Sequence, residues 1–430
     1  MGEANHSQAS GFLALNMILG RLRDLVVAPL RRWRLAQQIH ARWRHRGYDR
    51  SVERFLRERT GLADRVPAGV VYEATMRCNL KCAFCYVGNL LNLEGEWRQE
   101  LSVDALRKAF PEKKGLHVSL TGGEVFVRKD IEQVLDLFRQ KGYACGYLTT
   151  NGTAITEARA DALADLALAG FVRHISVSID GPGELHDAAR GVKGTFERTA
   201  TGLRRLQAAA RAKGAPLKVS INTTVTRESL DALDQMVDVA EGLGVDAIGL
   251  NHLMYATPDE VDQTLKIIGE TDRRLVATFV TTDPGLVPAQ VSAKVGTLET
   301  RCREKRIRFD YRPKVHQQLI EGYYTPGTPL RGRCLYPFLN ARVGFSGKVF
   351  FCPFIRVEVG DLAVSTLEEV WNNRRYVALR KRLLERELFP VCRRCCKVEL
   401  SPEPVPVAAA ALEGRRTLTL TSVSGQKHTQ

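Results

Sequence analysis

The chain has 430 residues, 44% apolar and 26% charged, an ordinary balance for a globular protein large enough to bury one main domain and a smaller one. No run approaches the roughly 18 uninterrupted apolar residues of a membrane span. The opening MGEANHSQAS has neither a basic secretory region nor a Ser or Thr at position 6 for myristoylation, so the sequence predicts a cytoplasmic protein. The formal charge of +15 can attract nucleic acid, anionic lipid or an acidic substrate, and by itself specifies none of them, so no specific nucleic-acid partner is predicted.

In chain order, residues 1–66 form a basic segment with 13 Arg, no Lys and 6 acidic residues. Leu15, Ile18, Leu19, Leu22 and Val26 recur at helical spacing, and Pro29 breaks the run. This predicts a helical N-terminal segment that packs on the main domain or touches a membrane surface. It has no alternating strands that would make a leader-binding module. From about residue 70, apolar β-branched runs (GVVYEAT, LHVSLTGG, CGYLTTNG, VRHISVSIDG, LKVSINTTV, AIGLNHL) alternate with helix-like stretches at Val103–Phe110, Asp130–Lys141, Glu157–Ala169, Thr195–Lys213 and Ser229–Leu243. Consecutive parallel strands need a crossover between them, so the alternation predicts an α/β fold. It is too short for eight units. A partial (β/α)6 TIM-like barrel over residues 67–330 fits, with ligands gathered at the C-terminal ends of the strands. A mixed region at 255–330, a small cysteine-rich domain at 331–400 and a flexible tail at 401–430, opening with Pro402, Pro404 and Pro406, complete the plan.

Eight of the 10 cysteines are clustered, and in a cytoplasmic protein such spacing points to metal or cluster ligation rather than disulfides. Cys78, Cys82 and Cys85 form C-x3-C-x2-C directly after the first strand. A cubane iron–sulfur cluster takes four thiolates, so three in one loop leave an iron open for chemistry. A zinc knuckle would need a fourth ligand nearby, and the next His is His117. At the end of the second strand, Thr121-Gly122-Gly123-Glu124 offers close backbone approach and a carboxylate, although such a run is also an ordinary strand-to-helix turn. Asn151 and Asn222 either face the same site or satisfy backbone groups. Cys334, Cys352, Cys392 and Cys395 supply four thiolates for a closed cluster or a structural zinc, with Cys396 as an alternative to Cys395.

Residues 70–255 resemble the radical SAM superfamily, whose loop is C-x3-C-x-aromatic-C after the first barrel strand, with Phe84 at the aromatic position. The resemblance implies a [4Fe-4S] cluster on Cys78, Cys82 and Cys85 whose open iron binds S-adenosylmethionine (SAM), cleaved by a one-electron reductant such as flavodoxin or ferredoxin to a 5′-deoxyadenosyl radical. It implies that Gly122, Gly123 and Glu124 hold the SAM amino group, and that Ser178 and Arg190 hold its carboxylate. The second cysteine group resembles a twitch domain, the shorter relative of SPASM. Ser401 stands where the longer form has a further Cys, so one auxiliary [4Fe-4S] cluster is expected. The substrate implied is a peptide or protein, or alternatively a small molecule or lipid; a non-catalytic iron–sulfur protein would have no use for an open iron. Cys302, outside both groups, reads as a buried small hydrophobe or as a thiol that returns hydrogen to a substrate radical, with Arg301 and Arg303 lowering its pKa.

Overall fold

The computed structural model describes residues 52–401 apart from positions 53, 65, 114 and 316, and apart from the side chains at 96, 97 and 317. The amphipathic run at 15–26, the rest of the basic segment as far as position 51 and the tail from Pro402 lie outside the described residues. Six strands alternate with helices as expected: β1 (Gly69–Thr75), β2 (His117–Gly122), β3 (Ala144–Thr150), β4 (His174–Ser178), β5 (Lys218–Thr224) and β6 (Ala247–Asn251). They pair in parallel in that order. The partial barrel is present, and it is wider than six strands. The short β7 (Tyr255–Ala256) and β8 (Phe279–Val280) pair with each other. Then β9 (Arg308–Arg312) adds a parallel strand beyond β6. On the other edge, after β10 (Arg331–Cys334), β11 (Asn340–Val343) lies parallel to β1. It is followed by antiparallel β12 (Lys348–Phe350) and β13 (Glu358–Asp361), completing a ten-stranded sheet. The last strand, β14 (Val398–Ser401), closes back on β10.

Alternation along the strands explains the layers. Val118 and Leu120, Leu148, Ile175 and Val177, Val219 and Ile221, and Ile248 and Leu250 are all buried. The helix Ile131–Gln140 presents Ile131, Val134, Leu135 and Phe138 at i, i+3, i+4 and i+7, and all four are buried. Phe138 meets Phe110 and Tyr143 edge to face at 5.1 and 5.3 Å. A fully buried side chain of this size contributes about 1.5–3 kcal/mol. Helix starts follow the local chemistry: the Thr156 hydroxyl accepts from Arg159 N–H at 3.3 Å ahead of Glu157–Leu168, and Ser102 accepts from Ala105 N–H at 3.2 Å ahead of Val103–Ala109. Alternate positions on the opposite strand faces are polar, and the register lines them up across the sheet: Thr121 against Glu73, Ser178 against Asn222, and Asn251 against Thr224. Polar groups therefore converge at the C-terminal strand ends.

Three expectations shift. The helix expected over Ser229–Leu243 is regular only at Met236–Gly242. The Ser229 hydroxyl donates to the Thr224 carbonyl at 2.9 Å and accepts from Thr226 N–H at 2.9 Å, holding the chain in a turn. The mixed region contains two full helices, Pro258–Ile268 and Pro288–Glu304, besides β9. An unpredicted helix, Gly183–Arg190, leads to Arg190. Among the described residues, no helix is long and apolar enough to cross a membrane.

Candidate active site

A cavity opens at the C-terminal ends of β1–β6. The loop after β1 contributes Cys78, Cys82, Phe84 and Cys85 to its wall. The ends of β2 and β3 contribute Gly122, Gly123, Glu124 and Asn151, and the later strands contribute Ser178, Asn222 and, from the helix after β4, Arg190. The residues singled out in residues 70–255 thus face one space, together with Tyr86, Thr224, Asn251 and Met254, which the sequence reading did not select.

The cysteine loop is fixed by backbone bonds. Cys78 N–H donates to Asn92 Oδ1 at 2.9 Å, and Asn92 Nδ2 returns a bond to the Cys78 carbonyl at 3.0 Å. Lys81 N–H donates to the Arg190 carbonyl at 3.0 Å, tying the loop to the helix after β4. Against it lies the end of β2 with no room for side chains. A Cβ on Gly122, whose φ is +152°, would stand 2.2 Å from the Thr75 carbonyl oxygen; one on Gly123 would stand 2.3 Å from that of Arg77. Burial pushes the Cys78 thiol up to about 11 and raises that of Cys85, and each is raised further by the charge of Cys82. The desolvated Cys78 and Cys85 thiols become thiolates readily only around a cation, and Cys82 lines the same wall, so the donor set fits a metal cluster.

Glu124 is buried, and its carboxylate latches two strands. Oε1 accepts from Thr150 Oγ1 at 2.6 Å and Phe126 N–H at 3.1 Å, and Oε2 accepts from Asn151 N–H at 2.6 Å. Burial raises its pKa against the pull of these three bonds. A carboxylate has about four acceptor positions, so one stays available. The Asn151 side chain turns to the cysteine loop, donating to Asn79 Oδ1 at 2.9 Å.

Arg190 is held by Asp180, which lies just past the end of β4. Arg190 Nη2 lies 2.5 Å from Asp180 Oδ2, an ion pair by distance that is poorly aligned as a hydrogen bond. Asp180 Oδ1 accepts from Thr224 N–H at 2.8 Å. Arg190 Nη1 reaches Cys82 Sγ at 3.7 Å, and the guanidinium sits 5.6 Å from the Phe84 ring centre. Its Nε is buried with no hydrogen-bond partner. An orphaned donor of a nine-tenths-buried guanidinium at the cavity wall fits an anionic group such as the carboxylate of SAM. Next to it, burial and then the Arg190 charge hold His186 down to about 3, so its ring is neutral and Nδ1 accepts from Asp180 N–H at 3.1 Å.

The C-terminal cysteines come together from separate elements. Cys334 ends β10, Cys352 follows β12, Cys392 closes the turn Pro390–Cys392, and Cys395 and Cys396 come next. Burial pushes Cys334 up to about 12 and Cys352 to about 11, and raises Cys392 well above its usual range; Cys334 and Cys352 each add to the rise at Cys392. Ile355 N–H donates to Cys352 Sγ at 3.2 Å, and Lys397 N–H to Cys395 Sγ at 3.4 Å. The Cys395 thiol lowers the pKa of Cys396, its alternative in the ligand set, ahead of the charges of Lys397 and Arg312.

Of the two readings of Cys302, the structure agrees with the buried small hydrophobe, and the expected lowering of its pKa is corrected. Cys302 is buried within the helix Pro288–Glu304, outside the cavity wall. Arg301 turns away to Asp238 at 2.7 Å, and burial outweighs its charge, pushing the thiol up to about 11 rather than down. A protonated thiol in the helical layer packs as a small apolar side chain.

Residues 72–240 match the radical SAM superfamily, and residues 334–396 match SPASM, an iron–sulfur cluster-binding domain. Curated relatives include the pre-heme d1 synthase of Dinoroseobacter shibae, 31% identical over 44% of this chain and 44% of its own length. The AdoMet-dependent heme synthase of Oleidesulfovibrio alaskensis is 27% identical over 71% of this chain and 75% of its own. The PqqA peptide cyclase of Methylocella silvestris is 31% identical over 44% of this chain and 48% of its own. This chain thus spans less than half of the first and third of these relatives. SuiB of Streptococcus suis, in its crystal structure with S-adenosylmethionine, superposes with a TM-score of 0.52 over 73% of this chain and 68% of SuiB; at 17% identity that is a likeness of fold.

Proposed function

We propose that this chain, whose residues 72–240 match the radical SAM superfamily and whose residues 334–396 match a SPASM iron–sulfur domain, abstracts a hydrogen atom from a peptide or protein substrate. Cys78, Cys82 and Cys85 would hold the [4Fe-4S] cluster, and the residues at the strand ends would hold SAM. When bound, the cluster and SAM supply a 5′-deoxyadenosyl radical once an electron arrives from a flavodoxin or ferredoxin. The bare backbone at Gly122 and Gly123 lets SAM approach β2 closely, and the remaining acceptor position of Glu124 takes part of its ammonium. Arg190 gives its free Nε to the SAM carboxylate, while Ser178 and Asn222 line the floor. Leu80, Val87, Leu91 and Met254 keep water from the reacting end. Four cysteines of the second group hold one auxiliary cluster.

The observation that carries the peptide reading is the charge balance of the cavity wall. Its charged residues among those described are Glu124 and Arg190, and both are engaged by neighbouring groups. Thr149, Thr224 and Asn251 leave neutral hydrogen-bonding groups, which match the amides of a peptide. A second reading, a porphyrin substrate, is favoured by the heme synthase relative that spans 71% of this chain. Porphyrin carboxylates would enter this cavity without cations to pair with, which is costly. The two separate in one assay of 5′-deoxyadenosine formation from SAM. A pool of uncharged synthetic peptides is expected to raise turnover and to yield a product lighter by hydrogen, while an iron porphyrin does neither. Stimulation by the porphyrin alone would replace the peptide reading.

The SAM contacts are tested separately by titration calorimetry on anaerobically reconstituted protein. Arg190→Lys loses the planar fork that serves Asp180 and SAM at once, and SAM affinity is expected to fall by about 1.5–3 kcal/mol, roughly ten- to a hundredfold. Glu124→Gln sets an amide where Thr150 and Asn151 need acceptors, and a similar loss follows with the first cluster still assembled. Parent-like affinity in both variants would remove these residues from the SAM site.

A further inference from the structure

The auxiliary cysteine loop and the cavity wall are joined through one buried tyrosine. Tyr323 has no exposed surface, and its hydroxyl lies 3.1 Å from the Leu253 carbonyl and 3.1 Å from the Arg394 carbonyl. Leu253 and its neighbour Met254 line the cavity. Arg394 stands inside the C-x2-C loop, directly before Cys395. The same tyrosine accepts at its backbone carbonyl from Arg394 Nε at 2.7 Å and from the Tyr255 hydroxyl at 2.8 Å.

Arg394 is itself clamped. Its Nη1 donates to Glu260 at 2.9 and 3.2 Å, and its Nη2 donates to the Thr325 carbonyl at 2.7 Å, with the Gly322 and Thr328 carbonyls at 3.4 and 3.3 Å. Glu260 also caps the helix Pro258–Ile268, which starts two residues after Ala256, and Thr264 of that helix accepts from Val391 N–H at 3.2 Å. The stretch from Leu253 to Glu260 therefore has the cavity at one end and the cysteine loop fastened along the rest. The Cys352 side is tied separately, through Phe354 against Tyr86 with ring centres 5.1 Å apart.

We propose that Tyr323 and Arg394 are positioning residues that couple the auxiliary site to the SAM cavity, so that loading the cysteine loop with its cluster tightens SAM binding. The proposal rests on the cofactor assignment above and is independent of the substrate. A cluster orders the loop that ligates it. Arg394 and Tyr323 pass that order to the main chain at Leu253, and SAM then enters a cavity whose wall is already fixed and has less freedom to lose. Linkage makes the effect mutual, with a typical size of at least fivefold.

The test is a double-mutant cycle on reconstituted full-length protein, read as the dissociation constant of SAM. Replacing Cys392 and Cys395 with Ala removes auxiliary ligands and leaves the first cluster. In the parent background this is expected to weaken SAM binding about fivefold or more. With Tyr323→Phe, which deletes only the hydroxyl, the same pair of substitutions is expected to change affinity by less than about twofold, while iron content and melting temperature before the cysteine changes stay those of the parent. Equal affinity with and without the auxiliary ligands in the parent, or an undiminished ratio in the Tyr323→Phe background, overturns the proposal. If the double cysteine variant does not fold, the auxiliary midpoint potential with and without SAM decides. A SAM-dependent shift in the parent that is lost in Tyr323→Phe upholds the coupling; no shift in the parent, or the same shift in both, refutes it. A parent that binds no SAM at all refutes the cofactor assignment instead.

Discussion

Replacing Cys78, Cys82 and Cys85 together with Ala is expected to abolish 5′-deoxyadenosine formation and to lower the iron content from about eight atoms per chain to about four. The residual iron belongs to the C-terminal cysteines, which sit on different elements and share no backbone with the loop after β1. The fold should survive the change. The bonds that shape the loop are made by the Cys78 main chain with Asn92 and by Lys81 N–H with the Arg190 carbonyl, and Ala keeps them all. Burial already raises the pKa of the Cys78 and Cys85 thiols when no metal is present, and the buried Arg190, which loses its contact with Cys82 Sγ, keeps its ion pair with Asp180. Unchanged far-ultraviolet circular dichroism with half the iron is the signature of lost ligands. Full iron retention, or stoichiometric zinc in the parent, would refute the cluster assignment.

The strands nearest the site were legible because each is a short run rich in apolar and β-branched residues that ends in small or polar ones. Gly69–Thr75 coincides with the strand expected from GVVYEAT, and Thr195–Lys213 with its helix. β9 was not legible, since Arg-Phe-Asp-Tyr-Arg alternates charges with half-buried aromatics, as suits the edge of a sheet rather than a buried parallel strand. The cysteine loop was readable from spacing, and the Gly-Gly-Glu run only through its resemblance to the family motif. The roles of their neighbours were not. Glu124 looks like a ligand in sequence, and only the structure reveals that three of its acceptor positions serve β3 and the following turn. Asp180 and Arg190 are ten residues apart with a helix between them, and nothing local signals that they pair. Of the two readings of Cys302, the buried small hydrophobe agrees with its burial, and the expected pull of the flanking arginines on its pKa is absent because Arg301 reaches Asp238 instead.

The residue whose loss should cost the most stability, Glu73, passed unselected in the sequence, though a carboxylate inside an apolar strand is a signal in itself. It is fully buried on β1 and takes two arginines. Arg342 of β11 donates to Oε1 through Nε at 2.9 Å and Nη2 at 2.7 Å; Arg356 donates to Oε1 at 2.6 Å and Oε2 at 2.9 Å. The carboxylate thereby ties the first barrel strand to the chain on both sides of Cys352. Burial pushes Glu73 up, and the two guanidiniums overcome it and hold it down to about 2 from an ordinary 4.5. Glu73→Gln leaves both buried arginines facing a neutral amide, and removing one partner of such a cluster costs about 3–5 kcal/mol. Anaerobic urea unfolding at pH 7 should show a midpoint lowered accordingly with an unchanged slope. The pH dependence has a definite sign. Because the folded pKa is depressed, the contribution of the native carboxylate is complete above pH 4.5 and fades as pH falls toward 2, where the folded form also takes up the proton. A shift of that size corresponds to about 3 kcal/mol. The stability difference between parent and Glu73→Gln should therefore hold constant through neutral pH and narrow across that acidic window. A difference that is small at pH 7, or that does not narrow in acid, would show that the two arginines find other partners and that Glu73 does not fasten β1 to β11.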